Sequence, residues 1–160
     1  HFATYDENGN IIEEHDKTVT QEEKIARINE EFSSFWQISE RLNQKLSAYY
    51  VLVRGLVHEV MWKVSFVGVA RGSAGGSYVC YLSEITQINP LKYDLPFWRH
   101  SSPLRPELPD IDVDSEALKR PLIFQNMHDY YGDENVLNTL TLKTEGTKSV
   151  IQVCCKGLLL

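Results

Sequence analysis

Three aspartates alternate with β-branched residues in Asp110-Ile111-Asp112-Val113-Asp114. In an extended chain, side chains two apart share a face, so the run stacks three carboxylates on one side and turns Ile111 and Val113 towards a core. Like charges at that spacing raise one another's pKa unless a cation lies between them. Mg²⁺ is the usual hard, oxygen-seeking cation, held by one or two carboxylates and substrate phosphates. The run reads either as a solvated acidic edge or as a metal site. The basic residues around it, Arg99, Arg105, Lys119 and Arg120, favour a metal site that handles phosphate.

A second group lies upstream in Arg71-Gly72-Ser73-Ala74-Gly75-Gly76-Ser77. It follows an expected strand and precedes an expected helix, the setting in which backbone amides receive phosphate, here with Arg71, Ser73 and Ser77 beside them. The glycine spacing is neither that of the Walker loop nor that of the dinucleotide fingerprint. Taken alone, a tight strand-to-helix turn explains the loop equally well. His58 and His128 are lone histidines in apolar segments and read as packed. His100 is placed to touch phosphate but has no evident metal partner.

The elements that must position these groups follow from periodicity. Thr20-Gln21-Glu22-Glu23 fits a capping box, and Ile25, Ile28, Phe32, Phe35, Ile38, Leu42 and Leu46 then recur at helical spacing. Tyr49 to Trp62 reads as a buried helix, 64–69 as a short strand, and 78–85 as a helix. Five of the six prolines fall between Pro90 and Pro109, so that stretch is an ordered, irregular connection that delivers the chain to an acidic strand. A further helix is expected from Arg120, with Pro121 in its first turn, to Tyr131-Gly132, and a last one over 147–160; 136–142 is a strand or short helix. Asn8-Gly9 marks a loop or small hairpin at the start.

The chain has 160 residues, 42% hydrophobic, enough for one domain or part of one. Its net charge of −6 argues against phosphate binding until its distribution is considered: residues 1–40 hold ten of the 22 acidic residues and three of the 16 basic ones, so the rest is near neutral. No window approaches a membrane span, and the three cysteines lack zinc-site spacing, which points to a soluble, cytoplasmic protein in a reducing compartment. A start at His1 and an end in the apolar run Gly157 to Leu160 are expected of a piece of a longer polypeptide.

In order and at close spacing, the loop 71–77, Ile85-Thr86-Gln87-Ile88-Asn89-Pro90-Leu91-Lys92-Tyr93, Phe97-Trp98-Arg99, Arg105 and Pro109-Asp110-Ile111-Asp112-Val113-Asp114 resemble the catalytic core of C-family DNA polymerases, the family of the bacterial DNA polymerase III alpha subunit. The resemblance extends more faintly over most of 49–156. It implies an α/β (α+β) fold, a mixed sheet of the polymerase-beta-like nucleotidyltransferase palm with flanking helices. Residues 1–48 would form an N-terminal acidic loop and helix, and 49–160 part of the palm with the start of the fingers. Asp110 and Asp112 match two of three aspartates that hold two Mg²⁺ ions, and Asp114 an acidic neighbour not counted as a ligand. Arg71, Gly72 and Ser73, with Ser77, match the nucleotide-phosphate loop; Arg99, Arg105, Arg120, Lys148 and Lys156 are candidate DNA or phosphate contacts. Gln152 replaces an expected arginine, Trp98 a common acid and His100 a common phenylalanine, which suggests a divergent, phage-encoded member.

The function so implied is that of a fragment of a DNA-directed DNA polymerase, joining a deoxynucleotide to a primer 3′-hydroxyl by a two-metal mechanism. It is expected to be inactive alone because the third aspartate lies beyond its last residue. Its partners would be dNTP, primer–template DNA and the remaining polymerase or other replisome subunits, with no membrane. A non-catalytic remnant that binds nucleotide, DNA or a replisome protein is the alternative. A small Mg²⁺-dependent phosphohydrolase accounts for the carboxylates only.

Overall fold

The computed structural model describes residues 3–5, 11–14, 19–139 and 146–158. The predicted capping box opens α1 (Gln21–Leu42): the Thr20 hydroxyl accepts from the Glu23 N–H at 3.2 Å, and the Thr20 N–H donates to the Glu23 carboxylate at 2.9 Å. Asn43, left-handed at φ 50°, closes the helix by turning its N–H back to the Glu40 and Ser39 carbonyls. The chain then enters α2 (Leu46–Gly55), which runs into a π-helical turn, Leu56–Met61. The two together occupy the stretch expected as one buried helix. A 3-10 turn over Gly72–Gly76 leads into the short α3 (Tyr78–Leu82), and α4 (Arg120–Tyr131) begins with Pro121 in its first turn, as expected. The last described helix is α5 (Thr147–Gly157).

The expected mixed palm sheet is not what the described residues form. Among the described residues the only sheet is an antiparallel N-terminal ribbon, β1 (Ala3–Tyr5) against β2 (Ile11–Glu14), with Ala3 opposite Glu14. The turn expected between them lies outside the described residues. Neither 64–69 nor 110–114 is a strand; the two stretches meet at one antiparallel bridge, Val67 to Ser115, with the Gly68 N–H donating to the Asp114 carbonyl at 2.9 Å. Alternation decides which way side chains face, whereas a sheet needs a ladder of partners. Among the described residues the acidic run has this single backbone bridge in place of a ladder, and the packing of Ile111 and Val113 is against the helical cores. Residues 136–139 carry no regular structure, and 140–142 lie outside the described residues.

Two cores result. In the first, Phe35 and Ile38 of α1 meet Leu46, Tyr50 and Val53 of α2 and Phe97 of the proline-rich connection, with ring centroids 4.7 Å apart for Phe35–Tyr50 and 5.7 Å for Phe35–Phe97. In the second, Val60 and Met61 of the π turn pack on Ile123 and Met127 of α4. The acidic run spans both: Ile111 packs against the first, Val113 against the second, and all three aspartates are exposed, which is the facing expected from their alternation. Among the described residues, no helix is long and apolar enough to cross a membrane.

Candidate active site

The loop and the acidic run come together at Arg71 and Gly72. The Gly72 φ of +60° is left-handed, which is what calls for glycine there, and a Cβ built on it would point at the end of the exposed Asp112 side chain, 2.9 Å from Oδ2. One residue earlier, Arg71 Nη1 lies 2.5 Å from Asp114 Oδ1. The hydrogen bond and charge of Asp114, with a further contribution from Asp112, push the Arg71 guanidinium above its ordinary pKa. Both partners are more than half exposed, so this pair orients the arginine more than it stabilises the fold.

Asp110, at the other end of the run, lies near Tyr49. Burial pushes the Tyr49 phenol up, the Asp110 charge adds to this, and a backbone hydrogen bond from Ile111 opposes it. Among the described residues, no group of three or more carboxylate, histidine or cysteine side chains converges in a way that could hold a metal ion. With Asp114 taken by Arg71, Asp110 and Asp112 are the carboxylates of the run left for a cation. Two hard oxygen donors beside a candidate phosphate loop are the kind of donor set that suits Mg²⁺.

On the other side of the loop, Ser73 lines a cleft of about 410 Å³ with Trp98, Arg99, Ser102 and Arg105. Two guanidinium groups, two hydroxyls and one aromatic wall make an opening suited to a phosphorylated, ring-bearing ligand. Arg99 pairs with no acid among the described residues. Arg105 Nε is 2.7 Å from Glu107 Oε1, an exposed pair that a stronger anion can replace.

Ser77 faces the other way. Fully buried, it donates to Glu31 Oε2 at 2.7 Å and caps α3 by accepting from the Cys80 N–H at 3.1 Å. Glu31 also accepts from the Tyr78 and Val79 N–H groups at 2.6 and 2.9 Å, so the anion at the start of α3 is the protein's own carboxylate. Of the remaining candidates, Arg120 sits in the first turn of α4 with its guanidinium 5.7 Å from the Phe124 ring centroid. Lys156 is exposed in the last turn of α5 and does not line the cleft; Lys148 is described only by its backbone in the first turn. The residues brought together are therefore Arg71, Gly72 and Asp112 on one side of the loop, and Ser73, Arg99 and Arg105 on the other.

Sequence reasoning missed Glu31, which was counted only as one of the ten acids of residues 1–40. It stands four residues before Phe35 and seven before Ile38, on the buried stripe of the helix, and Arg27 stands four residues before it. An acid on an apolar stripe is the signal that was available. Trp98 and Ser102 were also not singled out as contacts. Their place between Arg99 and Arg105, or beside one of them, was the cue.

His100 lies inside the first core, 2% exposed. Burial pushes its imidazole down to about 4 from the ordinary 6.5. The unfolded chain therefore takes up the proton first, so this share of stability is complete above pH 6.5 and is lost as pH falls towards 4, about 3 kcal/mol in all. In urea unfolding at a series of pH values, wild type is expected to lose about that much more than His100→Phe between pH 7 and 4. Parallel curves would mean that the ring titrates alike in both states.

Residues 5–160 match the family model described as the bacterial DNA polymerase III alpha NTPase domain. The chain belongs to this family. It is 48% identical over 139 residues, 84% of its length, to "Probable DNA polymerase YorL" of Bacillus subtilis (strain 168) and equally to "DNA-directed DNA polymerase" of Bacillus phage SPbeta. It is also 41% identical over 93 residues, 58% of its length, to the DNA polymerase III subunit alpha of Staphylococcus epidermidis. The chain spans 11% of the first two relatives and 9% of the third.

Proposed function

We propose that this chain is the part of a template-directed DNA polymerase that grips the incoming nucleotide's phosphates beside the catalytic carboxylates. The observation that carries this reading is the Arg71–Asp114 bond, with Gly72 facing Asp112 beside it, which joins an arginine- and serine-bearing loop to an acidic run in a member of a polymerase family. Asp110 and Asp112 would hold Mg²⁺. The bound ions supply Lewis-acid stabilisation of charge on the transferring phosphoryl group and make the primer 3′-hydroxyl a better nucleophile. Arg71, steadied by Asp114, and Ser73 donate to phosphate oxygens; Arg99 and Arg105 balance the remaining charge across the cleft, and Trp98 offers a flat apolar wall. Primer–template DNA and the rest of the polymerase, including a third carboxylate, complete the site. By themselves these 160 residues do not extend a primer in this reading, because two carboxylates leave most of the octahedral Mg²⁺ shell to water.

Titrating the ¹⁵N-labelled chain with a deoxynucleoside triphosphate should shift amide resonances of residues 71–73 and 98–105. Arg71→Ala combined with Ser73→Ala should weaken that binding by at least about tenfold, as expected when two charge-assisted hydrogen bonds are lost. Shifts confined to other segments would reduce the loop to a turn. A non-catalytic nucleotide- or DNA-binding piece shares the same grip but has no need of Asp112, a difference tested below.

A further inference from the structure

The two nitrogens of the buried His100 ring face different chemistry. Nε2 lies 2.9 Å from the Tyr50 hydroxyl and 4.0 Å from Cys80 Sγ, both inside the core, while Nδ1 lies 3.5 Å from Oγ of Ser73, the residue that lines the cleft. Burial pushes the Tyr50 phenol well above its usual range and the Cys80 thiol up to about 12, so both groups keep their protons. Burial also holds the imidazole neutral, leaving it one N–H. Tyr50 has no other hydrogen-bond partner among the described residues. If Nε2 carried the proton, the Tyr50 O–H, the nearer of its two neighbours, would face a donor and find no acceptor there, whereas the Cys80 thiol has Ser77 beside it. The buried Tyr50 hydroxyl is satisfied when the one lone pair of Nε2 accepts from it and Nδ1 carries the ring hydrogen.

That tautomer fixes the direction of the next bond. Nδ1–H donates to Ser73 Oγ, so the serine's own hydrogen has no inward acceptor on His100 and is left to turn into the cleft, where Arg99 and Arg105 also present only donors. We infer that His100 is a positioning residue that, by holding one tautomer between Tyr50 and Ser73, sets Ser73 as a hydrogen-bond donor to a phosphate oxygen of the incoming nucleotide. The inference rests on the polymerase reading above. It adds a buried relay that selects an anionic acceptor before any ligand arrives, since a hydroxyl already oriented as a donor does not have to reorganise on binding.

Two measurements test it. In long-range ¹H–¹⁵N spectra of the chain at neutral pH, His100 should show the Nδ1–H tautomer; an Nε2–H ring overturns the inference without reference to activity. In a primer-extending polymerase that carries this sequence, Ser73→Ala should raise the KM for dNTP by about tenfold with kcat changed less than about twofold, and His100→Phe should raise KM several-fold. The double variant should be no worse than Ser73→Ala alone, because both changes remove the same bond. His100→Asn, whose amide N–H can stand near the Nδ1 position, should recover part of the loss, which also guards against a mere packing defect in the phenylalanine variant. Additive effects in the double variant would show that His100 acts apart from Ser73 and overturn the inference. An unchanged KM in Ser73→Ala would instead remove the serine from the nucleotide site and take the underlying reading down with it.

Discussion

Glu31→Ala is expected to destabilise the chain by about 3 to 5 kcal/mol, the range for removing one partner of a buried, hydrogen-bonded charge. The carboxylate is fully buried and accepts three hydrogen bonds, from the Ser77 hydroxyl and the Tyr78 and Val79 N–H groups, with Arg27 Nη1 3.8 Å away. Burial pushes the carboxyl above its usual range, and those donors with Arg27 pull against it. Truncation leaves three donors at the start of α3 without an acceptor in a place sealed from water. Arg27 would keep its bonds to the Gly76 and Leu95 carbonyls at 3.2 and 2.9 Å, so the first turn of α3 should suffer more than α1. Denaturant unfolding of wild type and variant measures the cost. A loss below about 1 kcal/mol would mean that water reaches the vacated donors and that Glu31 is not the clamp it looks to be.

Asp112→Asn should reduce single-turnover nucleotide incorporation by about 10³-fold or more, roughly 4 kcal/mol of transition-state stabilisation, in a primer-extending polymerase that carries this sequence. The amide is isosteric, so the left-handed turn at Gly72 beside it can stay as it is. What is lost is an anionic oxygen beside the phosphate loop. Folding stability should change by less than about 0.5 kcal/mol, because the side chain is exposed and its repulsion of Asp110 and Asp114 is offset by its attraction for Arg71. Incorporation at the wild-type rate would remove Asp112 from the catalytic set and favour a piece that binds nucleotide without performing chemistry.

The features legible in the sequence were those decided within a few residues. The Thr20–Glu23 box and the Pro121 entry to α4 are local bargains between side chains and nearby backbone, and they appear where expected. The facing of Asp110, Asp112 and Asp114 also follows from alternation. The ladder does not, because sheet partners are remote in sequence, and here one bridge at Val67 takes the place of an expected sheet. Ser77 shows a different limit. A hydroxyl before a helix can donate to a ligand or cap the helix, and what decides is Glu31, 46 residues away. His100 was visible as a polar residue near the loop, but its inward seat between Tyr50 and Ser73 depends on three segments meeting.

The π-helical turn at Leu56–Met61 makes chain length itself a determinant of the site. Tyr50 and Val53, before the turn, serve the first core, while Val60 and Met61, within it, serve the second, against which Val113 of the acidic run is seated. Each residue added to or removed from a helix turns everything after it by about 100° about the axis. The wide turn already holds more chain than an α-helical turn, so a one-residue deletion can be absorbed by reverting to α-helix, whereas an added residue has no such release and would turn Val60 and Met61 away from Ile123, leaving Val113 without its seat. Codon gains at 56–61 should therefore be tolerated less than codon losses, a constraint that acts on the gene's spacing and not on its residue types.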